Sequence, residues 1–293
     1  MKKVLITGST GFIGKKLVID LINNNKIVYA IIRNTKKNYK YSIKIKKEYK
    51  KFFPIFFTKN SEIKKKIFNL ASAIVINLAT NFIPNPNHHQ LASIMNSNVI
   101  FPTIILDTCC KTNISKFINL CSTAQCDKNV IDNPQNFYAM TKIMFKQCMS
   151  YYKKKNPKIN FLNVYIGDTY GANDNRKKLF PTIIKNYKKN KRTTILTKKL
   201  KINVVHVNDI INGIKILINK VNYSSDFLIK SQKNIILGDL IKKFNSRNKK
   251  KINVLWLNYK VGTLNNVNVK KIPNWKEKFD VAKYFCKDLN GNN

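Results

Sequence analysis

Long apolar runs are absent from this sequence of 293 residues, and so is an apolar stretch near its start. Nothing approaches the roughly 18 consecutive apolar residues that a bilayer-crossing helix requires. Behind Lys2 and Lys3 come only Val4-Leu5-Ile6 and then Thr7-Gly8. That is too short for the apolar core of a signal peptide and reads as a strand entering a turn. A cytoplasmic protein with no membrane partner is the expectation. No two cysteines form a C-x-x-C pair among Cys109, Cys110, Cys121, Cys126, Cys148 and Cys286. Free thiols in a reducing compartment are therefore expected. His88 and His89 have no third ligand at metal spacing, so they read as exposed loop residues and no metal is expected. Internal repeats and Pro- or Gly-rich linkers are missing too, so the parts of the chain should share interfaces rather than a tether.

Acidic residues are scarce. Against 55 Lys and Arg stand 14 Asp and Glu, a net charge of +41. Such a balance admits nucleic acid as a partner. The lysines, however, are scattered over nearly every surface segment, with Asn and Ile inflated beside them, as AT-rich codons would produce. No zinc-finger spacing or aromatic-rich RNA-binding strand accompanies them. No nucleic-acid partner is expected, and the field suits a dianionic substrate such as a nucleotide diphosphate.

What the chain does have is alternation. Val4-Leu5-Ile6, Lys26–Ile32, Phe53–Phe57, Ala73–Leu78, Phe117–Leu120 and Phe161–Ile166 read as strands. Between them Lys15–Asn24, Asn98–Cys110 and Tyr138–Tyr152 have helical periodicity. This order predicts an α/β fold, a doubly wound parallel sheet with helices on both faces. Residues 1–166 would form the sheet domain. From Gly167 to Asn293 the alternation loosens into a smaller mixed α/β cap. Within it, 202–218 (strand Val204–Val207, helix Asp209–Ile218) is expected to return to the main sheet.

The most informative segment is Thr7-Gly8-Ser9-Thr10-Gly11-Phe12-Ile13-Gly14, which holds three of the nine glycines at G-x-x-G-x-x-G spacing. It follows a strand and opens a helix. The first glycine permits a tight turn, the second lets backbone approach a pyrophosphate, and the third lets helix pack on strand. The helix N-terminus then offers unpaired N–H groups and a positive dipole to phosphates. A Rossmann-type dinucleotide site follows.

T-G-x-x-G-F-I-G at this place resembles the extended short-chain dehydrogenase/reductase family, the NAD(P)-dependent epimerases, dehydratases and reductases of nucleotide sugars. Tyr138-Ala139-Met140-Thr141-Lys142 is similar to the family's Y-x-x-x-K. Positions i and i+4 share a helix face, so the ammonium can sit near the phenol. That ammonium and a positive nicotinamide ring are expected to lower a pKa that is ordinarily about 10. The resemblance implies a third hydroxyl after the fifth strand, where Cys121-Ser122-Thr123-Ala124-Gln125 stands. Thr123 is the choice and Ser122 the alternate.

Asn77-Leu78-Ala79-Thr80 resembles the cofactor-lining H-L-A-A, and Asn98-Val99 resembles the N-V-x-G-T helix, with Pro102 in the glycine's region. Arg33, with Lys36 and Lys37 behind it, stands where NAD-preferring members carry an acid. A guanidinium there suits a 2′-phosphate, so NADP(H) is favoured over NAD(H). Thr58-Lys59-Asn60 replaces the family's acidic residue near adenine.

Further on, Asp168-Thr169-Tyr170-Gly171-Ala172-Asn173-Asp174 is similar to N-V-Y-G-P-G-D, and Leu179-Phe180-Pro181 to F-x-P. His206-Val207-Asn208-Asp209 is similar to H-V-D-D, and Asn274-Trp275-Lys276 to G-W-x-P. Asp168, Phe180 and Lys201 are thereby the candidate substrate contacts. Two family arginines are replaced, by Tyr165 and by Ile202, leaving Lys201 as a point charge near the second.

Ala124-Gln125 stands where dehydratases carry Asp-Glu, and cannot supply the extra acid and base that elimination needs. The texture is nearest to the short 4-keto-6-deoxyhexose reductases. The resemblance implies hydride transfer from NADPH to a carbonyl of a nucleotide-linked hexose, and a homodimer through the Tyr138 helix. An epimerase with tightly held NAD, and a drifted cofactor-binding protein without catalysis, are the alternatives.

Overall fold

A computed structural model gives the architecture and describes residues 2–68, 70, 74–112, 114–220, 225–260 and 267–289, without the side chains of 286–288. Apolar β-branched runs enter it as strands buried on both faces, as parallel sheets require. In the first half the chain runs β1 (Lys3–Thr7), α1 (Phe12–Asn23), β2 (Ile27–Arg33), α2 (Lys36–Glu48) and β3 (Phe52–Phe57). It continues through α3 (Ile63–Ile67), β4 (Ile74–Asn77), α4 (His88–Met95), α5 (Phe101–Cys110) and β5 (Lys116–Ser122). A short hairpin of β6 (Cys126–Asp127) and β7 (Val130–Ile131) precedes the long α6 (Phe137–Lys155) and then β8 (Asn160–Ile166).

In the second half come β9 (Asp168–Tyr170), α7 (Leu179–Lys188), β10 (Thr193–Ile195), β11 (Lys201–Ile202), β12 (Val204–His206) and α8 (Val207–Asn219). The chain closes with β13 (Asp226–Ile229), β14 (Ile235–Ile236), α9 (Leu237–Arg247), β15 (Val254–Trp256), β16 (Lys270–Lys271) and α10 (Val281–Leu289).

Eight strands form the main sheet in the order β16-β13-β8-β5-β4-β1-β2-β3, and every pairing in it is parallel. The chain steps outward from β1 to β3, then returns to the other side of β1 at β4. This reversal opens a crevice at the carboxyl ends of β1 and β4, where ligands of open α/β sheets bind. One face is packed by α1, α2 and α8 through Leu17, Leu21, Ile45, Ile210 and Leu217. The other is packed by α3, α5 and α6 through Ile63, Ile105, Leu106, Phe145 and Met149. A third core, around Phe180, Tyr187, Phe244 and Phe285, belongs to the cap helices α7, α9 and α10. Among the described residues no helix is long and apolar enough to cross a membrane.

Three local expectations change. Residues 36–48 form a helix that the lysine-rich sequence conceals, because it buries only Ser42 and Ile45. His88 and His89 open α4 instead of lying in a loop. Asn87 accepts from the Gln90 N–H while Gln90 returns a bond to the Asn87 N–H, a capping box that starts the helix. Within 202–218, β12 pairs with β9 and not with the main sheet, while α8 lies on the main sheet's face. The strands that join the main sheet from the second half are β13 and β16. The expected strand start at Ala73 lies outside the described residues. Cys109, Cys110, Cys121 and Cys148 are free thiols.

Candidate active site

The glycine turn is shaped so that no side chain fits it. Gly8 has φ +72°, and a Cβ there would lie 2.6 Å from the Ala79 nitrogen; one at Gly14 would lie 2.1 Å from the Gly8 carbonyl oxygen. Gly11 caps α1 in an extended conformation, with no side-chain cap and no acidic residue in the first turn. The first N–H groups of α1 therefore face the crevice unneutralised, as an anion site requires. The Ser9 hydroxyl is buried with no hydrogen-bond partner among the described residues. An orphaned hydroxyl beside free helix N–H groups fits a pyrophosphate.

Arg33 ends β2, exposed, and Lys36 and Lys37 follow it on the exposed first turn of α2. Thr35 caps that helix by accepting from the Asn38 N–H at 3.3 Å, and the Asn38 amide donates to the Arg33 carbonyl at 3.1 Å. Behind β3, Glu62 accepts from the Thr58 and Lys59 N–H groups and pairs with Lys66 at 2.6 Å. The Lys66 hydrogen bond leads in holding its carboxyl down at about 2.

The opposite wall of the crevice is the loop after β4. Its Ala79 N–H donates to Thr7 Oγ1 at 3.1 Å. The Thr80 hydroxyl donates to Asn98 Oδ1 at 3.2 Å. Asn98 sits in a π-helical turn, Asn96–Ile100, between α4 and α5. Its oxygen also accepts from the Asn81 N–H at 2.7 Å, and its amide donates to the Asn81 carbonyl and to Thr141 Oγ1 at 3.0 and 2.9 Å. Asn98 thus pins the loop holding Leu78, Ala79 and Thr80 to the helix that carries Tyr138.

Tyr138 and Lys142 both lie on the buried side of α6, 8% and 3% exposed. Burial pushes the Tyr138 phenol up to about 12, with the Thr80 hydroxyl as the one group pulling down. Burial also lowers Lys142. The lysine expected to depress the phenol does not do so, and burial dominates. The Phe82 ring stands edge-on to Tyr138 at 4.8 Å.

The two candidate hydroxyls differ in employment. Ser122 Oγ accepts from the Ala124 N–H at 3.2 Å and so caps the 3₁₀ turn Thr123–Gln125. Gln125 is fully buried and accepts from the Ser122 N–H. The half-buried Thr123 hydroxyl has no hydrogen bond among the described residues, and the Gly167 backbone passes beside it.

A row of polar side chains crosses the sheet below this site. Thr7, Asn77, Asn119, Asn163 and Asp226 are consecutive register partners on β1, β4, β5, β8 and β13. The Thr7 hydroxyl donates to Asn77 at 2.6 Å. Asn77 donates to Asn119 at 3.1 Å, Asn119 to Asn163 at 3.1 Å, and Asn163 to Asp226 at 2.9 Å. Asp226 also pairs with Lys146, one turn beyond Lys142, which reaches Asp132 at 3.0 Å as well. Only the register across five strands reveals this row.

On the substrate side, Asp168 is exposed and pairs with Lys178 at 3.1 Å. Phe180 is buried in the cap core but also walls a cleft of about 770 Å³ with Gly171, Asn173, Arg176, Lys185 and Tyr284. Lys201 is exposed on β11, away from these residues in that cleft's lining. Tyr165 is fully buried among Cys121, Cys126, Leu228 and Val267, with the Lys146 ammonium 5.6 Å from its ring centre.

Arg176 was not anticipated. It makes two bonds to Asp174 at 2.8 and 2.7 Å and two to Thr169, and its guanidinium lies 4.2 Å from the Phe12 ring centre. It clamps the cap loop onto the glycine turn. A D-x-R spacing after Gly171 was the available signal.

The family model described as "NAD dependent epimerase/dehydratase family" matches residues 4–229. The chain belongs to this family. The epimerase/dehydratase match covers the whole crevice, from β1 through Tyr138 and Lys142 to the end of β13. The CDP-abequose synthase of Yersinia pseudotuberculosis is 28% identical over 226 residues, 76% of each chain. That of Salmonella typhimurium is 27% identical over 96% of this chain and 95% of its own. Among solved structures, the UDP-glucuronic acid 4-epimerase of Bacillus cereus with NAD superposes at TM-score 0.80 and 19% identity, covering 98% of this chain and 95% of that one. The dTDP-glucose 4,6-dehydratase of Bacillus anthracis with NAD does so at 0.80 and 15%, covering 99% and 96%. These two likenesses show the shared fold.

Proposed function

We propose that this family member is an NADP(H)-dependent oxidoreductase that reduces a keto group of a nucleotide-linked deoxyhexose. The observation that carries the reading is the buried Tyr138–Lys142 pair on the far side of a crevice from a glycine turn with a free helix N-terminus. Gly8 to Gly14, with Ser9, would hold the pyrophosphate, and Leu78 to Thr80 would line the nicotinamide side. Bound there, the nicotinamide supplies the hydride. Tyr138 gives its proton to the substrate oxygen, Thr123 holds that oxygen through its unengaged hydroxyl, and Ser122 keeps the turn in shape. A phenol at about 12 keeps its proton until a carbonyl oxygen gathers negative charge beside it. Lys142 stabilises the tyrosinate left behind.

Arg33, Lys36 and Lys37 beside the N-terminus of α2 favour a 2′-phosphate. The relatives named CDP-abequose synthase favour a cytidine-diphosphate sugar. Residues 1–166 would carry the cofactor and 167–293 the sugar nucleotide, with Asp168, Phe180 and Lys201 on that side. A homodimer fits the exposed apolar Met140 and Tyr151 on the Tyr138 helix and Ile100 in the neighbouring π turn.

Titration with NADPH and NADH, followed by consumption assays against CDP-, dTDP- and GDP-linked 4-keto sugars, tests the proposal. Tighter NADPH binding and net consumption are expected. Copurifying NAD with sugar interconversion and no net consumption would establish an epimerase instead. Cofactor binding without turnover on any of these sugars would leave a non-catalytic binder.

A further inference from the structure

Most of the excess positive charge takes no part in the site above. About half of it lies in the cap. No acidic residue occurs between Asp174 and Asp209 or between Asp239 and Glu277. The parallel pairing of β10 with β15 lays these two acid-free segments side by side. Alternation along both strands separates two faces. Thr193 and Ile195 are buried, with Val254 and Trp256 half-buried beside them. The other face presents Leu196, Leu255 and Leu257, between 38% and 48% exposed, and Tyr259, 61% exposed, follows past the left-handed Asn258. The Leu257 N–H donates to the Ile195 carbonyl at 3.0 Å and the Tyr259 N–H to the Leu196 carbonyl at 2.9 Å. These bonds continue the ribbon past its regular strands and keep Leu196, Leu257 and Tyr259 neighbours. One exposed leucine is ordinary, but a contiguous group on a fixed ribbon marks an interaction surface. Exposed Arg192, Lys198, Lys199 and Lys260 border the group. None of the four belongs to an ion pair among the described residues.

We infer that this ribbon docks on an anionic lipid surface. Aliphatic side chains ringed by cations match a layer whose interior is apolar and whose headgroups are negative. Each cation held at such a surface strengthens binding about fivefold. Tyr259, at the edge of the group, has the amphipathic ring that settles at headgroup level. Single-stranded nucleic acid asks for several stacking platforms along a basic track, and the ribbon exposes one aromatic ring, Trp256 lying on its inner side.

The test uses the full chain, sedimented with vesicles of phosphatidylcholine alone and of phosphatidylcholine mixed with phosphatidylglycerol. Binding to the mixed vesicles only, weakened by salt, is expected. Leu196→Asn with Leu257→Asn should weaken it about tenfold or more, and so should Lys198→Glu with Lys199→Glu. Leu257→Trp supplies a direct readout that depends on no loss of binding. Its emission should shift to the blue on the mixed vesicles, whereas Leu91→Trp, on exposed α4, should not shift. Melting temperatures check that each variant is folded. An absence of vesicle binding, binding that survives both double variants, or an unshifted Leu257→Trp overturns the inference. So does homopolymer RNA binding, or self-association, that the same variants abolish in place of vesicle binding.

Discussion

The two sides of the crevice are built in opposite ways. On the proposed cofactor side the fit rests on backbone: Gly8 and Gly14 leave no room for side chains, and the groups offered to a phosphate are helix N–H groups. On the proposed substrate side the wall is built from long side chains, such as Lys178 paired with Asp168 and Arg176 over Phe12. Backbone geometry tolerates almost no substitution, so its spacing survives sequence drift. A side-chain charge can be supplied from another position. Near Tyr165 the cation comes from Lys146 on α6, and at the cap loop it comes from Arg176. A binding surface therefore constrains each of its positions less than such a turn does.

The comparison can be tested from its strongest point. Tyr138→Phe removes the proton donor and should lower turnover about 10²- to 10⁴-fold with cofactor affinity nearly intact. Steady-state kinetics on an accepted 4-keto sugar, beside NADPH titration, would show it. Turnover within a few-fold of the parent would transfer the chemistry to another group.

The cap should fail first in acid. His206 is buried against Phe279 at 4.0 Å and lowered to about 4, chiefly by desolvation. Its folded pKa lies below the unfolded value, so the unfolded chain binds the proton more readily between those limits. Stability is then complete above about pH 6.5 and falls as pH drops toward about 4, by on the order of 2 kcal/mol. Chemical denaturation at stepped pH would measure this, and His206→Gln should flatten the slope in that window.

Asn119→Leu breaks the polar row, leaving the Asn77 amide without its partner and the Asn163 oxygen with only the weak Cys121 thiol donor at 3.6 Å. A loss of about 2 kcal/mol is expected, read from the urea midpoint, with the sheet side losing cooperativity before the cap. The smallest effect belongs to Arg33→Asp. It should move cofactor preference from NADPH toward NADH about tenfold, with little change in melting temperature. Unchanged preference would remove Arg33 from the 2′-phosphate site.

What could be read in the sequence divides along the same line. The G-x-x-G-x-x-G turn and the strand–helix alternation are local patterns, and both translate directly into structure. Helix α2 is hidden because lysines occupy nearly all its solvent face, leaving too few apolar residues to show a period. The Asn98 knot needs a π turn that no residue pattern announces. Arg176 becomes meaningful only once Phe12, far back in the chain, is seen under its guanidinium. A run such as Val204–His206 proclaims a strand but not its partner, and β9 was settled by tertiary packing.

The row from Thr7 to Asp226 has a direction. Each amide receives on its oxygen from one neighbour and gives from its nitrogen to the next, ending on a carboxylate. Turning over a single amide would set donor against donor on one side and acceptor against acceptor on the other. The row can therefore be kept whole or replaced whole, since an apolar set of matching shape leaves nothing unpaired. Intermediate versions pass through a valley of instability. A lineage carrying this row is expected to hold it nearly unchanged while lysines come and go on the surface above. Descendants that have lost it should have lost several of the five residues together.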